Sequence, residues 1–62
     1  MGMGEKVTLF LQRLDFPASK EQCIAYAREH NAPQDVLDAL AKLPDDHYPN
    51  ITTVWTHIEE NL

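Results

Sequence analysis

A chain of 62 residues has room for one domain and one small core, and a void able to enclose a substrate would cost it about 1 kcal/mol or more. Ten acids against five bases give a formal net charge of −5 with the histidines neutral, which disfavours phosphate backbones and anionic membranes and favours basic or apolar protein surfaces. A hydrophobic share of 44% argues against disorder, the single cysteine Cys23 excludes an internal disulfide and suits the reducing cytoplasm, and no apolar run approaches the ~20 residues of a membrane span.

Met1 to Gly4 is expected to be a flexible leader, because Gly2 and Gly4 favour no one conformation. From Glu5 to Leu14 the apolar residues Val7, Phe10, Leu11 and Leu14 fall at i, i+3, i+4 and i+7, one face of a helix over about 5–14. Leu9 lies off that stripe and is expected in solvent. Pro17 fixes its own φ and restricts Phe16, so the first helix must end before this corner. Ser19 followed by Gln22 has the spacing of a capping box, which opens a second helix over about 20–30. Its buried face is Cys23, Ile24 and Ala27, with Tyr26 at the edge. Asn31 tolerates the left-handed conformation that ends many helices.

Pro33 is placed at the first position of a third helix over about 33–43, with Asp35 complementing the dipole in its first turn. Val36, Leu37, Leu40 and Leu43 form its apolar face, and Pro44 ends it. A loop from Asp45 to Asn50 follows, and Asn50 can cap a fourth helix over about 51–61. Ile51, Val54, Trp55, Ile58 and Leu62 make the cleanest helical stripe in the chain. Three threonines weaken that helix, and Glu59 and Glu60 oppose its dipole, so it depends on tertiary packing. All four prolines sit at element boundaries, and no strand pattern is visible. The fold expected is all-α, a compact bundle of four short helices forming one domain over 5–62.

Phe16-Pro17-Ala18-Ser19, Ala27-Arg28, Ala32-Pro33, Val36-Leu37, Leu43-Pro44-Asp45 and Tyr48 together resemble a family of small bacterial domains of unknown function, DUF2795. The likeness covers roughly Leu14 to Ile58 and rests most on the Phe-Pro-Ala corner and the Leu-Pro-x-x-x-Tyr loop. Family members usually carry a serine-containing cap before the last helix, where this chain has Pro49-Asn50-Ile51. The resemblance implies a compact helical bacterial protein, and it supplies no catalytic residue and no ligand.

The residues themselves offer few sites. Asp45-Asp46-His47 gathers three oxygen or nitrogen donors in one loop, but consecutive residues point apart and such loops are commonly solvated turns. His57 and Glu60 share a helix face without further ligands. Cys23 lies on the expected buried face, where thiols are mostly inert. With no glycine-rich phosphate loop, nucleophile elbow or His-Glu-x-x-His pattern, neither an enzyme nor a cofactor is expected. The second and third helices have the spacing of a helix-turn-helix, the alternative reading. Its recognition helix would present Gln34, Asp35, Asp38 and Lys42 to DNA, and two carboxylates there face phosphates unfavourably. Trp55 is read first as closing the small core. Exposed beside Tyr48 and His47, it would form the anchor of a candidate interaction surface. The reading by elimination is a non-catalytic, cytoplasmic module for protein–protein interaction or regulation, through a protein partner or self-association, with no membrane and no small-molecule substrate.

Overall fold

The computed structural model describes residues 2–60. Met1, Asn61 and Leu62, and with them the first residue of the expected leader and the last of the fourth stripe, lie outside the described residues. Four helices run in order: α1 over Met3–Leu11, α2 over Lys20–Glu29, α3 over Gln34–Ala41 and α4 over Ile51–Glu60. Helix α1 touches each of the other three, and α2 lies on α3. None is long and apolar enough to cross a membrane.

The buried residues come from every element. Val7 and Leu11 of α1 meet Cys23 and Ala27 of α2, Val36 and Leu40 of α3, and Val54 and Ile58 of α4, with Ala18, Leu43 and Tyr48 closing the cluster. These are mostly the inner positions of the four stripes. Phe10, Leu14, Ile24, Leu37 and Ile51 pack half-buried around them. No polar or charged residue is buried among the described residues, so hydrophobic burial, worth ~25 cal/mol per Å², carries the folding free energy.

The helix ends follow the local chemistry. Ser19 Oγ accepts from the Gln22 amide at 3.0 Å while Gln22 Oε1 accepts from the Ser19 amide at 2.7 Å, the complete capping box. Asn31 takes a φ of 58° just beyond α2, and the Ala32 amide then donates to the Ala27 carbonyl at 3.0 Å. Asn50 Oδ1 accepts from both the amide and the hydroxyl of Thr53 at the start of α4, at 2.9 and 3.0 Å.

Several expectations are corrected. Helix α1 spans Met3–Leu11 rather than 5–14, and Met3 and Gly4 belong to it rather than to a flexible leader. Gly4 is buried, held by contacts with α4 described below. Pro33 is the N-cap of α3, with an extended ψ of 160°, and not its first helical residue. Two short strands also appear, β1 (Ala18–Ser19) and β2 (His47–Tyr48). They pair antiparallel with Ala18 opposite Tyr48 and Ser19 opposite His47, and the Lys20 amide extends the link to the Asp46 carbonyl at 2.9 Å. Two residues are too few to show the alternation that marks a strand. The Phe16–Pro17 peptide leading into β1 is cis.

Candidate interaction surface

The ladder decides the fate of Tyr48. Pairing with Ala18 turns its ring into the core, where it is 0% exposed. Its hydroxyl accepts from the Asp45 amide at 3.0 Å, so the phenol closes its own loop. Burial, first of several causes, pushes its pKa up. The His57 ring stands edge-on to it at 5.7 Å between centroids, and His57 Nε2 lies 3.7 Å from Asp45 Oδ2. Tyr48 therefore offers nothing to a partner, contrary to the expected anchor. His47, its neighbour, is exposed.

Trp55 is 40% exposed and does not close the core. Its place is the seam between α4 and the first turn of α1. A β-carbon at Gly4 would lie 2.6 Å from Trp55 Cδ1 and 2.7 Å from Nε1, so the indole edge rests on the bare glycine backbone. On the same spot the Gly4 amide donates to Glu59 Oε2 at 2.8 Å. Helix α1 has no side-chain N-cap of its own, and a carboxylate from the end of α4 serves its N-terminus instead. The charge that opposes the dipole of α4 thus favours that of α1.

The other large apolar residue exposed among the described residues is Leu9, at 58%. It stands at the edge of an open groove of about 390 Å³ between the C-terminal halves of α1 and α2, lined by Leu9, Phe10, Gln12, Arg13, Tyr26 and His30. Tyr26 and His30, one turn apart on α2, stack with ring centroids 4.4 Å apart. The walls mix the apolar and aromatic surfaces of Leu9, Phe10 and Tyr26 with the polar groups of Gln12, Arg13 and His30. The sequence signals this place through Leu9, which breaks the α1 stripe, and through Tyr26, which stands at the edge of the buried face of α2. Phe10, on the inward stripe of α1, is only half-buried, and Arg13 belongs to no pattern in the sequence.

The polar groups suspected of chemistry lie apart from this groove. Cys23 is fully buried, and that burial pushes its thiol pKa up. Among the described residues, no three His, Cys, Asp or Glu side chains gather closely enough to hold a metal ion. On α3, Gln34 Nε2 donates to Asp38 Oδ1 at 2.9 Å, and Lys6 Nζ of α1 reaches Asp35 Oδ2 at 2.6 Å. The Lys6 hydrogen bond is the largest of the effects holding the Asp35 carboxyl below its ordinary range. Of the residues that a helix-turn-helix would present, Gln34, Asp35 and Asp38 are thus already paired within the chain.

Comparison with known proteins places the chain by sequence. No curated protein and no solved structure gives a significant match. The profile of one family, described as protein of unknown function (DUF2795), matches residues 5–55, from the first turns of α1 to the middle of α4. The match takes in both strands, the capping box and the groove, and by it the chain belongs to the DUF2795 family.

Proposed function

We propose that this chain is a non-catalytic protein-interaction module of the bacterial cytoplasm, whose contact surface is the groove between α1 and α2 with Leu9 at its edge. The observation that carries the reading is the exposure of Leu9, 58%, on a groove that already holds Phe10 and Tyr26. Single apolar residues on a surface need no explanation, whereas one that continues into an aromatic groove forms a patch that a partner can cover. The one thiol of the chain, Cys23, is in the core, where thiols are mostly inert, and this supports a role without cysteine chemistry. A lone cysteine suits a reducing compartment. The helix-turn-helix alternative gains no such support, since Asp35 and Asp38 head its recognition helix and are already bonded to Lys6 and Gln34.

The test is photocrosslinking in the native cell, with a benzophenone amino acid in place of Leu9 and, as control, in place of the exposed Asp38 on α3. A discrete crosslinked protein at position 9 and none at position 38 is expected, lost when Tyr26→Glu is added. Equal labelling from both positions, or crosslinks to nucleic acid, would overturn the reading.

A further inference from the structure

We infer that the groove between α1 and α2 is filled by a second copy of this chain, packed antiparallel along α1 about a two-fold axis at Leu9. The inference rests on the interaction-module reading and names its partner. Its ground is the pattern on the outer face of α1. Glu5, Leu9 and Arg13 are spaced by four, all are exposed, and spacing of four sets side chains in one row along a helix. Gln12, the C-cap of α1, keeps right-handed helical dihedrals at φ −52° and ψ −38°, and Arg13, one residue beyond it, lines the same groove as Leu9.

A two-fold axis at Leu9 places each residue opposite the one equally far on its other side. Glu5 then faces Arg13 of the partner subunit, Arg13 faces the partner's Glu5, and Leu9 meets the partner's Leu9. The row is complementary to itself, as a closed symmetric interface requires. Among the described residues, neither the Glu5 carboxylate nor the Arg13 guanidinium has a hydrogen bond or ion pair within the chain. Each Leu9 enters the other copy's groove, against Phe10 and Tyr26. The overall charge of −5 opposes association at low salt. At physiological ionic strength the Debye length falls to about 8 Å, so the distant repulsion fades while pairs in contact persist. A specific interface needs about 600 Å² or more from each copy. The exposed surface totals 3994 Å², so a face of that size is a modest part of it.

Sedimentation equilibrium on the purified chain at physiological salt tests this. Wild type is expected to pass from monomer to dimer with rising concentration up to about 1 mM, and Leu9→Asp to stay monomeric. Glu5→Arg and Arg13→Glu, taken singly, each set two like charges together in place of two ion pairs, and each is expected to weaken dimerisation by about tenfold or more. An equimolar mixture of the two variants restores both pairs and should dimerise at least as well as wild type. No general loss of fold gives that rescue, and circular dichroism of each variant confirms the helices. Wild type that stays monomeric throughout, or a mixture no better than its parts, would overturn the inference. A crosslink from position 9 to a different protein, with the purified chain monomeric, would overturn the self-pairing and leave the interaction module standing.

Discussion

Gly4 is the position where the structure makes the most demanding statement about stability. Replacing a helical glycine with alanine ordinarily stabilises by about 0.5–1 kcal/mol, because alanine leaves the unfolded chain less freedom to lose. Here the new methyl would lie 2.6 Å from Trp55 Cδ1, 2.7 Å from Trp55 Nε1 and 2.7 Å from Glu59 Oε2. The carboxylate is the far end of a flexible side chain and can give way. The indole is a rigid plate, and moving it aside breaks the α1–α4 seam. Overpacking of this kind costs about 1–3 kcal/mol, and any shift of Glu59 weakens its hydrogen bond to the Gly4 amide. Gly4→Ala is therefore expected to lose about 1–2 kcal/mol net, which for so small a domain lowers Tm by roughly 8–15 °C. Thermal and urea melts followed by circular dichroism measure the loss. The sharper check is the cycle with Trp55→Ala. Once the indole is gone, alanine at position 4 meets only the mobile carboxylate, and the same substitution should become neutral or stabilising, a coupling of about 1 kcal/mol or more. If Gly4→Ala stabilises both backgrounds equally, the indole does not rest on that glycine and the account of the seam is wrong.

Two further outcomes are expected. The Lys6 hydrogen bond holds the Asp35 carboxyl below its ordinary value near 3.8, and a folded-state pKa lowered in this way adds stability above that value, lost as the pH falls through the folded pKa. Urea midpoints of wild type and Lys6→Met should then differ steadily above about pH 5 and converge under more acid conditions, while NMR shows the Asp35 titration moving up in the variant; an unmoved titration would refute the pairing. The buried Cys23 thiol, with its raised pKa, should react with a maleimide about 100-fold or more slowly in the native chain than in denaturant, and rapid native labelling would show that the core around it opens.

The helices were legible because their signals are local. Apolar spacing marks the inner faces, prolines separate the elements, and the caps at Ser19, Asn31 and Asn50 each act within a few residues of the place where the chain must turn. What escaped notice depends on partners far apart in the chain. Ala18 and Tyr48 meet across two connecting segments, and neither two-residue strand carries a period of its own. Tyr48 sits among prolines, aspartates and a histidine, company that suggests exposure, and only the ladder shows why its ring turns inward. Gly4 and Glu59 are 55 residues apart. Glycine reads as freedom in a sequence, and here its lack of a side chain is what lets α4 come close. Trp55 completes a perfect stripe and still stays partly in solvent, because the residue beneath it has no side chain with which to cover the ring.

The same reasoning separates the two exposed apolar residues. Trp55 already has structural work, since its edge seals the junction of α1 and α4 over the bare backbone of Gly4. Leu9 has no such work. Helix α1 touches every other helix, yet its inward residues are Gly4, Val7 and Leu11, and Leu9 faces away from them. Alanine would serve helix formation there at least as well, and a polar residue would keep the face better hydrated. The proposed interface accounts for a leucine placed on the edge of this groove, between an acid and a base that have no partner among the described residues.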